Sequence, residues 1–266
     1  MSLIKPGTIL KLSSGRATAM VDATQGGLVT DFSVGGTRIL YPDGQIDVSG
    51  RKKRRGGIPV LFPQAGALSA PPPNFNLAQH GFARDMAWEA VESPADGRRV
   101  ALRLRATAET KSKFPFEFEV RAGIEIDPES LTVSLRVSNP GGVPLWTAPG
   151  LHPYFAISAD SRLKLTTNVL AFDIGTYRLD ESLILMPQRV DMEIPGTGRV
   201  SMIPGGEFLR PASRLVVWSD RPDYMCFEPW SAGVGSLLRP DERLEVPPGG
   251  EIFCSMRIEV ATKSTR

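Results

Sequence analysis

Apolar residues fall at every second position in several long stretches of this chain, and that alternation constrains its fold more than anything else. In LTVSLRVSN, Leu131, Val133, Leu135 and Val137 share one face, while Thr132, Ser134, Arg136 and Ser138 take the other. In FEFEVRAGIEI, Phe116, Phe118, Val120, Ala122, Ile124 and Ile126 line up opposite Glu117, Glu119, Arg121 and Glu125. EIFCSMRIEV repeats the pattern with Ile252, Cys254, Met256, Ile258 and Val260. A period of two belongs to a strand with one wet and one buried face, the usual state of an antiparallel sheet. Between these runs stand turn-forming groups: Gly26-Gly27, Gly35-Gly36, Asn139-Pro140-Gly141-Gly142, Gly205-Gly206 and Pro247-Pro248-Gly249-Gly250. No stretch combines helical periodicity with helix caps. The 26 glycines and 23 prolines are spread along the chain and not pooled in a linker. The expectation is therefore all-β: one antiparallel β-sandwich domain over residues 1–266.

Charge narrows the function. The chain has 31 basic and 29 acidic residues, a net charge of +2. A dedicated nucleic-acid binder usually carries a strong basic excess, so that class is not expected. The five cations of RKKRR, residues 51–55, are thus a local feature standing just before Gly56-Gly57. They are either a solvated patch or the edge of a site that holds negative charge. No run of about 18 apolar residues occurs, so no membrane span is expected. The N-terminal stretch lacks the apolar segment of a secretory signal. Cys226 and Cys254 have no metal-like spacing, and a reducing cytoplasm is the default compartment. Residues 65–79, with Pro71-Pro72-Pro73, read as an extended surface loop that could border a site. Nothing in the sequence sets an oligomeric state.

Only two histidines exist, His80 and His152. His80 precedes Gly81 in QHGFARD, where a tight turn or a close approach to a ligand is possible; a histidine at a strand end explains it as simply. His152 lies in PGLHPYF, stiffened by prolines on both sides, which suits either an aimed side chain or a plain turn. Glu228 ends the apolar run of DYMCFEPW. A carboxylate there is costly unless paired or functional, and burial raises a carboxyl pKa toward the range of a general base.

The order of these motifs carries a resemblance. GGIPVLFPQ, QHGFARD, LHPYF, FEPW and a closing VPPGGEIF, with the early ATQGGLVTDFSVGGTRILYP, resemble the aldose 1-epimerase (galactose mutarotase-like) superfamily over nearly the whole chain. The resemblance implies a large antiparallel β-supersandwich that interconverts the α and β anomers of an aldohexose or its 6-phosphate. It assigns Glu228 as the base that removes the C1 hydroxyl proton and His152 as the acid that protonates the ring oxygen. His80 becomes the second histidine, which positions the sugar. RGGIP followed by HGFAR is similar to the hexose-6-phosphate branch, where the matching arginines, Arg55 and Arg84, face the phosphate. An aspartate that holds sugar hydroxyls would be Asp191 or Asp173, with Asp191 preferred. No metal or redox cofactor is implied, and the partner is a small sugar or sugar phosphate. The alternative is a non-catalytic carbohydrate-binding or regulatory sandwich of the same fold.

Overall fold

The structure, a computed structural model, describes residues 9–69, 71–93, 95–169 and 179–261. Two large sheets dominate it. The first has eight strands in the order Thr166–Thr167, Val190–Ile194, Gly198–Gly206, Glu251–Ala261, Ser130–Ser138, Glu119–Asp127, Arg99–Arg105 and Glu89–Glu92. The second runs Leu179–Leu185, Arg214–Ser219, Tyr224–Trp230, Gly150–Leu151 and Val60–Leu61, with Tyr154–Ala156 also paired to Tyr224–Trp230. A four-stranded sheet spans residues 9–38, and all pairings between these strands are antiparallel. The expected all-β class and sandwich architecture are what the chain adopts.

The alternating runs explain how. Along Glu119–Asp127 burial alternates residue by residue, with Val120, Ala122, Ile124 and Ile126 inside. They share one apolar cluster with Leu131, Val133, Leu135 and Val137, and with Met256, Ile258 and Val260. From the second sheet, Leu215, Val217, Met225 and Phe227 enter the same cluster. Val216, Trp218, Tyr224, Cys226 and Trp230 of the same two strands pack on the opposite face in two smaller clusters. One face of the second sheet thus belongs to the main core, and the other forms a second buried layer. Tyr41 and Ile46 pack on that layer.

Two sequence expectations change, and RKKRR, which shows no periodicity of its own, is a strand: Arg51–Arg55 pairs with Gly44–Val48. The turn after it needs glycine, because Gly56 has φ of +106° and a Cβ there would lie 2.2 Å from the Pro42 carbonyl oxygen. Short helices also occur, Ala108–Lys113 and Ala159–Arg162. The first is set by a reciprocal cap between Thr107 and Thr110, a signal too brief to show as periodicity. The segment after Gln64 has no strand or helix among its described residues, as expected, yet it is not wholly on the surface. Ala65, Gly66 and Phe75 are buried, and Phe75 stacks among Phe114, Phe116 and Trp146. Among the described residues no helix is long and apolar enough to cross a membrane.

Candidate active site

Every residue of Tyr224–Trp230 is buried. An interior strand covered on both faces reads as a continuous apolar run, and this one carries a single carboxylate, Glu228, 1% exposed. An unpaired charge there would cost several kcal/mol, on the order of the penalties known for buried ions. Its oxygens are met: Trp230 Nε1–H donates to Oε2 at 3.1 Å, and His152 Nε2 lies 3.3 Å from Oε1.

Strand register brings His152 there. Gly150 pairs with Trp230 and Tyr154 with Cys226, so the residue midway between them arrives opposite Glu228. The Tyr154 ring stacks on the imidazole at 4.5 Å with an interplanar angle of 1°, and its hydroxyl lies 3.4 Å from Nε2. Trp218 meets the same imidazole edge-on at 5.8 Å. His80 approaches from a separate turn. Its φ is +70°, unusual for a residue with a Cβ, and its Nδ1–H donates to the Ala65 carbonyl. That bond sets the tautomer and leaves Nε2 as the ring's acceptor. The ring is edge-on to His152 at 5.6 Å and to Trp230 at 5.9 Å.

Both imidazoles resist protonation. Burial drives the His152 pKa well below its ordinary value, and His80, Arg84 and Arg55 push the same way. Burial also lowers His80, to about 4, helped by Arg84 and Arg55 and opposed by the Ala65 bond. Near neutral pH the resting site therefore holds two neutral imidazoles.

The arginines line a neighbouring cleft of about 270 Å³, bordered by Lys53, Arg54, Arg55, Arg84, Asp43 and Tyr154. Tyr154 is the shared wall, one side facing this cleft and one ring face on His152. Arg55 Nη2 donates to Asp220 at 2.8 Å, and its guanidinium lies 5.0 Å from the centre of the Trp218 ring. Burial works against the Arg55 charge, but Asp220 together with Tyr154 and Tyr224 outweighs it and raises the pKa further. Asp220 also accepts from the Tyr224 hydroxyl. Arg54 is clamped by Asp43 through two hydrogen bonds of 2.7 Å. One buried nitrogen on each, Arg54 Nη1 and Arg55 Nε, has no hydrogen-bond partner. Arg84 is held loosely, 3.5 Å from the Gln79 carbonyl and 3.8 Å from Asp85.

The structure thus brings His80, His152 and Glu228 together, with Arg55 and Arg84 one wall away. It does not bring Asp191. That residue sits in Val190–Ile194 of the eight-stranded sheet, where Arg189 and Ser201 donate to its carboxylate at 2.6 Å each. Arg189 and Ser201 line a different groove that contains none of the histidines or Glu228. Its carboxylate is engaged within its own sheet, apart from the histidines and Glu228. Asp173, the other candidate, lies outside the described residues. Arg54, Trp218 and Asp220 were missed because their roles come from register and a through-space contact, which no local motif announces. Cys226 was also missed. A ring nitrogen of His152, the Cys226 sulfur and a Glu228 oxygen all lie within 4.8 Å of one another, three donors that could hold a metal ion.

The aldose 1-epimerase family profile matches residues 8–184, which include both histidines. The chain belongs to that family. The Glu228 strand lies beyond the matched stretch, so its assignment rests on the geometry above. Among curated relatives of this aldose 1-epimerase family member, a Cenchrus ciliaris protein named "Putative glucose-6-phosphate 1-epimerase" is 32% identical over 151 residues, 53% of this chain and 44% of its own. An Escherichia coli K12 protein of the same name is 28% identical over 114 residues, 42% of this chain and 36% of its own. The matched stretch thus spans less than half the length of either relative. Solved structures match along the whole chain. A Synechocystis protein superposes with a TM-score of 0.83 at 25% identity, covering 99% of this chain and 98% of that one. A galactose mutarotase related enzyme from Lactobacillus acidophilus gives 0.80 at 17% identity, covering 97% and 99%. The latter likeness speaks to fold alone.

Proposed function

We propose that this chain is a mutarotase of the hexose-6-phosphate type, opening and reclosing the sugar ring by acid–base catalysis. The observation that carries the reading is the cation-lined cleft that shares the Tyr154 wall with the buried His152–Glu228 pair, with Trp218 touching both Arg55 and His152. The name of the curated relatives points the same way.

In this scheme Glu228 takes the proton of the C1 hydroxyl. The bond from C1 to the ring oxygen breaks, its electron pair goes to that oxygen, and His152 supplies the proton there. Rotation about C1–C2 and reclosure by the reverse transfers give the other anomer. A base and an acid only 3.3 Å apart suit two oxygens borne on one carbon. His80, neutral with Nε2 as acceptor, orients a sugar hydroxyl in this scheme. His152 must become protonated to act as the acid, and its resting environment opposes this. A phosphate set among Arg55 and Arg84 would offset two of the charges that depress it, so substrate binding would help arm the acid. Arginine forks suit the phosphate through paired, charge-assisted bonds.

The test is anomer exchange by NMR on glucose 6-phosphate, glucose and galactose at equal concentration. Acceleration should favour the phosphorylated sugar. Arg84→Ala is the cleaner probe because its present contacts are weak; it should raise KM for glucose 6-phosphate about tenfold, the equivalent of one charged hydrogen bond. It should not slow exchange of free glucose. Equal loss for both sugars would reduce the cleft to surface charge. No acceleration of any sugar would favour a binding protein over an enzyme.

A further inference from the structure

Cys226 takes no part in the ring-opening scheme, yet it is fully buried on the strand face that carries Glu228. Residues two apart on a strand point to the same side, so thiol and carboxylate flank one spot, which His152 closes from the facing segment. The three donor atoms lie within 4.8 Å of one another. A tetrahedral zinc ion with bonds of about 2.0 Å to nitrogen and oxygen needs those atoms about 3.3 Å apart. The separation of His152 Nε2 and Glu228 Oε1 is 3.3 Å. Sulfur, bonded at about 2.3 Å, belongs about 3.5 Å from each, and the three residues already offer donor atoms within 4.8 Å of one another. Charge also balances. Glu228 and a Cys226 thiolate offset the two positive charges of the ion, and a neutral complex suits a buried place beside Arg55 and Arg84.

We propose that His152, Cys226 and Glu228 form a three-ligand site for a thiophilic divalent cation of the zinc class, with the fourth position open, and that its occupancy switches off ring opening. Binding releases the thiol proton to solvent; no electrons are transferred. The ion claims the lone pairs with which Glu228 accepts a proton and His152 receives the one it must donate. The inhibition rests on the mutarotase reading, but the ligand set does not.

Cobalt(II), added to the full chain in phosphate-free buffer, is the direct probe. A thiolate-to-cobalt charge-transfer band should appear in the near ultraviolet and vanish on adding zinc. It should persist in Cys254→Ala, the only other cysteine, and be lost in Cys226→Ala or, where alanine fails to fold, in the near-isosteric Cys226→Ser. Zinc should then slow anomer exchange at least tenfold, reversibly with chelator, and the Cys226 variants should keep basal exchange while losing that sensitivity. Absence of the band, or a band or inhibition undiminished in the Cys226 variants, overturns the proposal. In a protein without measurable exchange the cobalt band alone decides whether the ligand set exists, which separates failure of this site from failure of the mutarotase reading.

Discussion

Glu228 owes its meaning to the company it keeps: a carboxylate on a wholly buried strand, with one oxygen held by an indole N–H and the other facing an imidazole. Glu228→Gln keeps the shape and removes the base. We expect kcat for anomer exchange to fall about 10²–10⁴-fold, the usual worth of a positioned acid or base, with KM changed only a few-fold. Retained turnover in that variant would remove Glu228 from the mechanism. This residue could be read from the sequence because one charge interrupts an apolar run. Both histidines were readable because the chain has no others and each stands beside turn-forming residues, Gly81 after His80 and prolines on both sides of His152. Asp191 misled because an aspartate on an alternating strand looks alike whether it faces a ligand or a neighbouring arginine. What separates the two cases is the Arg189 and Ser201 contact, and partners across a sheet are not written into either residue's local pattern.

Among the described elements, the His80–Gly81 turn is tightly constrained. Both residues have left-handed φ, +70° and +69°, and a Cβ on Gly81 would lie 2.0 Å from the Phe62 carbonyl oxygen. Gly81→Ala should cost at least about 2 kcal/mol, the left-handed penalty plus relief of that clash. Urea denaturation would register it as a lower midpoint at unchanged slope; an unaltered midpoint would mean the turn is not built this way. The strands themselves were the easiest elements to foresee, since period-two alternation in 116–126, 131–139 and 251–260 needs no partner to be seen. Arg51–Arg55 was not, because five consecutive cations show no alternation. Its strand character comes from pairing with Gly44–Val48.

For the molecule as a whole, the two buried imidazoles make folding sensitive to acid. His80 binds its proton with a pKa of about 4 when folded, against 6.5 ordinarily. Between those values the unfolded chain holds a proton that the native one refuses, so stability falls as pH drops from 6.5 toward 4. The loss from His80 is on the order of 3 kcal/mol, and His152 adds to it in the same direction. Urea midpoints across that window should fall in the wild type and fall less steeply in His80→Asn, because asparagine tolerates left-handed φ and does not titrate there. Parallel curves would mean that His80 is charged in the native state. Trp218 has a further consequence. Its indole lies between the Arg55 guanidinium and the edge of His152, so it is a built-in optical gauge of both. Excited indole is quenched by a protonated imidazole nearby. Glucose 6-phosphate that arms His152 should therefore dim tryptophan emission, glucose should not, and Trp218→Phe should abolish the signal while the other three tryptophans keep glowing.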